Sequence, residues 1–332
     1  MMKRKRRVAV SGGRFMKKTV GTVVSAILIL TLVVLSAVFS DYGFSANQRK
    51  TMLILLIVCG ASVAYCFIVG ELAQNFSQMD KLWSILPIVY VWIVAIRGEM
   101  KLRLVLYAVI VTIWGIRLTV NFARKGAYKL KFWEGEEDYR WKIVRNRFFK
   151  KNVLWTLFDL FFISFYQNAL VLAICFPSLA AMESAAALSA WDISGFALAL
   201  AFLILETVSD EFQRVFQTKK KELLAENKSL EALPAPYNLG FNTTGPWGRM
   251  RHPNYLGEQG FWVSLYLAAI GAGVASKIFF HWSAIGPLML VFLFMGSSTL
   301  AEAISSKKYP KYIDYIKQVP KYLPIRKFDP EK

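Results

Sequence analysis

The feature that most constrains the fold is a series of eight apolar stretches, several of them near the length that a lipid bilayer requires. A helix needs about 20 apolar residues to cross the hydrocarbon core, and 55% of the 332 residues are hydrophobic. The sequence therefore predicts an all-α, polytopic helical membrane protein rather than a soluble domain. We place the predicted spans at residues 20–39, 51–70, 82–96, 102–123, 152–177, 190–208, 259–275 and 278–298.

Positive charge is distributed unevenly between the loops on the two sides of these spans. Of the 41 Lys and Arg residues, 34 fall in one set of loops and 6 in the other. Cytoplasmic loops of membrane proteins carry an excess of Lys and Arg, so we predict a multi-pass protein with both termini cytoplasmic. The net charge of +19 then reflects topology and attraction to anionic lipid, and it requires no nucleic-acid partner.

The predicted spans divide the chain into three parts. Residues 1–19 form a basic cytoplasmic segment, residues 20–70 two N-terminal transmembrane helices, and residues 71–332 a larger membrane domain. The apolar run from Val20 is too long for a secretory signal, so we predict a retained anchor. The three cysteines all lie in apolar spans without metal-ligand spacing, which predicts inert core thiols and no metal site.

A dense polar run at residues 249–258 is the strongest candidate for a binding site. Pro253 suits the first turn of a helix, which places Asn254 and Glu258 on one face at i and i+4. A helix N-terminus flanked by cations attracts anions. The sequence therefore predicts a cytoplasmic site for a phosphate-bearing or otherwise anionic cofactor. The candidate residues in this run are Arg249, Arg251, His252, Asn254, Tyr255 and Glu258.

Further polar side chains lie within or beside the spans, almost all on the predicted cytoplasmic side. Such groups are costly in lipid and generally face a bundle interior or a cavity. One hypothesis is a single polar pocket in the cytoplasmic half of the bundle. The alternative is local pairing, in which Arg214 pairs with Asp210 and Arg117 extends to the interface. The residues of the predicted pocket are Asp80, Trp83, Arg117, Asn121, Glu206, Asp210, Asn254 and Glu258.

Six motifs, in their order and spacing, closely resemble the steroid 5-alpha-reductase-like membrane proteins, specifically the branch of that superfamily known as a domain of unknown function. The resemblance covers about residues 70–326. Its most specific element, Arg-His-Pro-Asn-Tyr, is similar to one in isoprenylcysteine carboxyl methyltransferases and sterol reductases. The motifs lie at residues 75–84, 117–122, 135–141, 206–211, 251–258 and 308–315.

The resemblance implies a cofactor-binding C-terminal part, about residues 200–326, which holds NADPH in the reductases and S-adenosylmethionine in the methyltransferases. Asn254 and Glu258 match the asparagine and glutamate of the reductases' cofactor motif. Asp210 matches the aspartate of their Ser-Asp pair. Glu302 falls near the position of a cofactor-contacting tyrosine in steroid reductases, so the resemblance implies a changed contact there.

The substrate half departs from the steroid reductases. Residues 84–87 read Ser-Ile-Leu-Pro where those enzymes have Gln-Glu-Leu-Pro, and Trp114 stands in place of their catalytic tyrosine, three residues before Arg117. The steroid-binding machinery is therefore missing, and steroid is not implied as the substrate. The nearest polar substitutes are Asp80, Trp83 and Arg117.

These features predict an NADPH-dependent reductase that acts on a lipophilic unsaturated small molecule in the membrane, with no obligate protein partner. Reduction of an electron-poor double bond needs a donor to neutralise developing charge, and Arg117, Tyr139 or Tyr255 can serve. The predicted catalytic residues are Arg117, Tyr139, Asp80 and Trp83. One alternative is methyl transfer from S-adenosylmethionine to a lipid-like acceptor, and the other is a non-catalytic lipid-binding or scaffolding protein.

Overall fold

The computed structural model describes residues 43–149, 151–226, 229–274 and 281–329, and these residues form helices and loops without a β-strand. The described α-helices are α1 (Ala46–Ala73), α2 (Gln78–Leu82), α3 (Leu86–Arg97), α4 (Leu102–Ala123), α5 (Tyr139–Phe148), α6 (Asn152–Ala173, with a π-helical stretch at Asp159–Tyr166), α7 (Phe176–Ala180), α8 (Ala190–Glu226), α9 (Pro253–Gly271), α10 (Ile285–Lys308) and α11 (Tyr312–Gln318). Short 3₁₀ turns lie at Tyr237–Leu239, Gly245–Gly248 and Trp282–Ala284.

Five of the described helices are long and apolar enough to cross a membrane: α1, α4, α6, α8, and α10 with the 3₁₀ turn before it. This confirms the prediction of a polytopic helical membrane protein. The number of eight spans is not confirmed by the described residues. The basic segment 1–19 and the span predicted at 20–39 lie outside them, as do residues 278–280 at the start of the last predicted span.

Two predicted spans differ from the helices that the structure contains, and a third lies within a longer helix. The span predicted at 82–96 is α3, whose 12 residues extend only about 18 Å at 1.5 Å per residue, short of the ~30 Å hydrocarbon core. The span predicted at 259–275 is α9, which begins at Pro253 and ends at Gly271. The span predicted at 190–208 lies within α8, which continues to Glu226.

Many apolar side chains on the long helices are exposed on the surface of the protein. Ile57 and Leu72 on α1 are 63% and 81% exposed, and Ile116 on α4 is 56% exposed. Exposed apolar side chains on several helices indicate an interaction face. On helices long enough to cross a bilayer, lipid chains are the natural cover for these side chains.

The described residues fall into two compact units. The first contains the described residues up to Ala187 together with Ala272–Met289, and the second contains Leu188–Gly271 and the described residues from Leu290. The first unit holds α1 to α7, and the second holds α8, α9, α11 and most of α10.

In the second unit, α8 and α9 pack against each other along their shared length, in what we call the α8–α9 seam. A Cβ atom added to Gly195 would lie 2.5 Å from the backbone nitrogen of Ala268, and one added to Gly257 would lie 2.6 Å from the Cβ of Glu206. Residue numbers therefore rise along α8 as they fall along α9, and the helices are antiparallel. Glycine is needed where the backbones approach this closely.

A second core in this unit joins the loop after α8 to the C-terminal residues. Aromatic rings supply most of its volume, and Phe241 packs against Tyr315 with ring centroids 5.3 Å apart. This core fixes α11 against the loop that leads into α9. Its buried members are Leu239, Phe241, Tyr312, Tyr315, Val319 and Phe328.

Candidate functional site

The α8–α9 seam brings Asp210 and Asn254 together in the second unit. Asn254 Nδ2 donates a hydrogen bond to Asp210 Oδ1 at 3.2 Å. Pro253 begins α9, which gives Asn254 its place in the first turn, and the antiparallel register brings that turn to Asp210 on α8. Arg214, the local partner considered for Asp210, forms an ion pair with Glu211.

Two buried carboxylates lie along the same seam, one helical turn away from Asp210 and Asn254. Glu206 and Glu258 are 5% and 4% exposed, and Gly257, the neighbour of Glu258, lies directly against Glu206. The indole nitrogen of Trp262 donates to Glu258 Oε1 at 3.2 Å. Buried carboxylates are costly unless hydrogen-bonded or paired, so this part of the seam offers strong acceptors to a polar or cationic group.

Arg251 and His252 both contact Glu302 on α10. Arg251 Nε donates to Glu302 Oε1 at 2.9 Å, and His252 Nε2 lies 3.0 Å from the same oxygen. The guanidinium of Arg251 also donates to the carbonyl oxygens of Ile316 and Val319. We call this set the Glu302 latch. It ties the turn before α9 to α10 and to the chain after α11.

Burial lowers the pKa of His252, although the neighbouring Glu302 carboxylate favours the charged form. A carboxylate oxygen only accepts hydrogen bonds, so the contact with Glu302 places the proton of a neutral imidazole on Nε2. The ring of His252 stacks on Tyr255 with centroids 5.1 Å apart, and Tyr255 in turn meets Phe294 at 4.6 Å. Tyr255 is thus held by rings on two sides.

The buried polar atoms of the second unit without a hydrogen-bond partner among the described residues include Gln213 Oε1, Asn242 Nδ2 and the hydroxyl of Tyr322. Gln213 lies one turn beyond Asp210 on α8, and the ring of Tyr322 lies 6.5 Å from that of His252. Buried polar groups are normally paired. Gln213 and Tyr322 therefore add an acceptor and a hydroxyl that a bound polar molecule can satisfy.

Arg249 differs from Arg251 in its surroundings. Its side chain is exposed, whereas the side chain of Arg251 is 10% exposed and is held by the Glu302 latch. Of the two arginines, Arg249 is the one oriented toward solvent.

The first unit holds the candidate catalytic residues, and there two of the motifs contact each other. Asn75 Nδ2 donates to Gly135 O at 3.1 Å, and the indole nitrogen of Trp141 donates to Asp80 Oδ2 at 2.8 Å. Burial raises the pKa of Asp80, against the opposing effect of Arg140. The motifs at 75–84 and 135–141 thus form one structural element.

The stretches around Trp83 and Arg117 also meet. Ser84 Oγ and Thr119 Oγ1 lie 2.7 Å apart, so α4 brings the segment containing Arg117 beside the residues that precede α3. Trp83 and Arg117 are both half-buried. Tyr139, by contrast, is 61% exposed at the start of α5.

Sequence reasoning missed Tyr128, which lies at this junction. Its hydroxyl donates to Lys81 O at 2.8 Å and lies near the Ser84–Thr119 pair, while burial raises its pKa. Lys81 itself is fully buried and donates to the carbonyls of Phe132 and Glu134, each at 2.7 Å. Nothing in the sequence indicates that Lys81, directly before the predicted span 82–96, is buried. Its partners are backbone carbonyls, which no side-chain pattern reveals.

Comparison with known proteins gives a family and a relative. Residues 66–319 match the family described as "Protein of unknown function (DUF1295)". The chain is similar to the uncharacterized protein C594.04c of Schizosaccharomyces pombe, with 32% identity over 299 residues, which is 86% of this chain and 82% of the relative. No solved structure matches. The family match includes α2 to α11 and every candidate site residue, and the chain belongs to the DUF1295 family of proteins of unknown function.

Proposed function

We propose that the protein is a membrane-embedded, NADPH-dependent reductase of a lipophilic unsaturated substrate. The observation that carries the proposal is the contact between Asp210 and Asn254. These residues lie 44 positions apart and match the cofactor motifs of the steroid 5-alpha-reductase-like proteins. Glu258 and Glu206 lie one turn along the same seam. The coincidence of resemblance and geometry supports a cofactor site at the start of α9.

The residues present fit a nucleotide. Carboxylates such as Asp210 and Glu258 accept hydrogen bonds from ribose hydroxyls and from a carboxamide, and the unpaired Tyr322 hydroxyl and Gln213 oxygen supply a donor and an acceptor. The exposed Arg249 is the cation that we expect to meet phosphate, since an arginine binds phosphate in bidentate geometry. These complementary groups support NADPH.

Bound NADPH would supply hydride to an electron-poor double bond, and the protein would supply the compensating hydrogen-bond donor. Of the donors considered, Tyr255 belongs to the same unit as the proposed cofactor residues. Its ring is fixed between His252 and Phe294, so its hydroxyl has a defined position. We therefore favour Tyr255 as this donor over Arg117 and Tyr139. Asp80 and Trp83 remain candidates for the substrate side.

The alternative enzymatic function is that of a methyltransferase. Two buried carboxylates, Glu206 and Glu258, suit the positive sulfonium and ammonium groups of S-adenosylmethionine as well as they suit ribose. The rival from another class is a non-catalytic lipid-binding or scaffolding protein, which has no nucleotide site.

Two measurements on the detergent-purified protein distinguish these functions. Mass spectrometry identifies any small molecule that co-purifies, and thermal unfolding is followed while NADPH, NADH or S-adenosylmethionine is added. A ligand that binds the folded state stabilises it increasingly with concentration. We expect NADPH to stabilise more than NADH. Stabilisation by S-adenosylmethionine alone would establish the methyltransferase, and no response to any of the three would favour the non-catalytic protein.

We propose further that both termini face the cytoplasm, which rests on the uneven distribution of Lys and Arg. The loop containing Ser184 then lies on the opposite side from Lys332. Reporter insertions at these two positions should report opposite compartments. The same compartment for both would rule out the predicted topology without affecting the cofactor site.

A further inference from the structure

The chain after α11 forms a segment without helix or strand that we call the C-terminal arm, residues 319–327. Two backbone hydrogen bonds fix it to the turn before α9: Arg251 N donates to Pro320 O and His252 N to Lys321 O, each at 3.1 Å. The Arg251 guanidinium adds its bond to Val319 O. The arm is therefore held in place by three bonds to two residues of the candidate site.

A side-chain contact shows which part of α10 the C-terminal arm lies beside. Lys321 Nζ donates to Ser298 Oγ at 3.1 Å. Before Ser298, α10 exposes apolar side chains, with Phe292 63% and Met295 51% exposed. After Ser298, its sequence contains the charged residues at 302, 307 and 308. Such a change from apolar to charged along a membrane-crossing helix marks the bilayer interface. Because Lys321 contacts α10 at Ser298, where this change occurs, the arm lies at the depth of the interface.

The side chains of the arm point in two directions. The hydroxyl of Tyr322 is buried, whereas Leu323 and Ile325 are 63% and 71% exposed. The change from a buried hydroxyl to exposed side chains falls between Tyr322 and Leu323, and the next four residues also remain exposed. Arg326 and Lys327, which follow immediately, are both exposed.

We propose that the C-terminal arm docks on the bilayer, with Leu323 and Ile325 in the interface and Arg326 and Lys327 against anionic lipid headgroups. Apolar side chains beside exposed basic ones are the pattern of interfacial membrane anchors, and basic residues next to a membrane attract anionic phospholipid. The level set by Ser298 and the positive charge both favour a bilayer over a protein partner. This inference does not depend on the proposed enzymatic function.

The docking has a structural consequence for the candidate site. The arm carries Tyr322 inward beside His252, and its backbone accepts from Arg251 and His252. Contact of Leu323 and Ile325 with lipid therefore holds one wall of the candidate site in position. Loss of the bilayer contact should loosen this wall before it affects the α8–α9 seam.

Spin labels test the docking in the full-length protein. Cysteines are introduced by Leu323→Cys, Ile325→Cys and, as a water-exposed control on the polar end of α8, Glu222→Cys. The three native cysteines are buried, so the introduced thiol is the one that reacts. In vesicles of phosphatidylcholine and phosphatidylglycerol, we expect labels at 323 and 325 to collide with oxygen more than with a water-soluble nickel chelate. The control label should show the reverse.

Two results would overturn the proposal. Labels at 323 and 325 that meet the nickel chelate as often as the control would place the arm in water. Labels shielded from both oxygen and nickel would mean that protein, such as a second copy of the chain, covers the arm.

The charge requirement is tested with the double variant Arg326→Glu/Lys327→Glu. In the otherwise unchanged protein, we expect protection of the 325 label from nickel to increase as phosphatidylglycerol is added. The double variant should lose most of that increase, and Lys219→Glu, a charge reversal on α8, should not. Equal protection in the double variant and its parent would contradict a role for anionic lipid.

Discussion

Asn254 and Asp210 form the last in a series of contacts between α8 and α9, with Nδ2 and Oδ1 3.2 Å apart. The series begins at the other end of the seam, where Gly271 lies against Asp192. The polar contact at 254 therefore depends on how closely the two backbones approach along the whole seam. Small residues determine how close the two helices lie, and this distance in turn fixes the geometry of the candidate site.

The first prediction concerns this close approach. Gly257→Ala adds a Cβ that would lie 2.6 Å from Glu206 Cβ and 2.9 Å from its backbone, so the helices must separate. Overpacking of this kind costs about 1–3 kcal/mol. We expect a lower melting temperature in detergent. The matched control is Gly296→Ala on α10, where an added Cβ meets nothing within 4 Å; equal behaviour of the two variants would contradict a tight seam.

The second prediction concerns the Glu302 latch. Glu302→Gln removes the charge that Arg251 and His252 share, and a hydrogen bond to a charged group contributes about 1.5–3 kcal/mol. We expect destabilisation of that order and earlier proteolytic cleavage after α11, because the latch holds the C-terminal arm. Asp314→Asn, which removes an exposed carboxylate paired with Lys317, is the control and should change neither measurement.

The third prediction is a pH dependence that arises from His252. Burial lowers its pKa in the folded protein, whereas the unfolded chain protonates near the ordinary value of about 6.5. The unfolded state therefore binds more protons as the pH falls below about 7, and stability decreases. Melting temperatures between pH 8 and pH 6 should fall less steeply for His252→Gln than for the unchanged protein. Parallel slopes would show that His252 does not titrate differently on folding.

The sequence predicted some of this architecture and missed the rest for definable reasons. Pro253 begins α9, as expected for a residue suited to the first turn, because that signal is local. The partners of Arg251 include the carbonyls of Ile316 and Val319, which carry no side-chain signature. The sequence also could not reveal that Trp141 donates to Asp80. The two residues are 61 positions apart, and a tryptophan and an aspartate do not form a pair that sequence alone would suggest.

Apolar content and helix length diverge most clearly at α3. The apolar run around α3 suggested a full span, yet the helix begins at Leu86 with Pro87 in its first turn and ends at Arg97. The span predicted at 190–208, by contrast, lies within α8, a helix long and apolar enough to cross a membrane. The helix continues for 18 residues beyond 208, because the polar sequence that follows is rich in good helix formers.

The last prediction separates a ligand-binding role of Glu258 from a structural one. Glu258 is 4% exposed and accepts from the Trp262 indole at 3.2 Å. In Glu258→Gln the amide oxygen can still accept that bond, so we expect an unchanged melting temperature. A hydrogen bond from ligand to carboxylate is worth about 1.5–3 kcal/mol, so NADPH affinity should fall about ten- to hundredfold. Glu222→Gln, which removes an exposed carboxylate on α8, is the control for lost charge and should bind NADPH normally. If Glu258→Gln were destabilised but bound NADPH with unchanged affinity, Glu258 would be a structural residue of the seam, and the cofactor site would have to lie elsewhere.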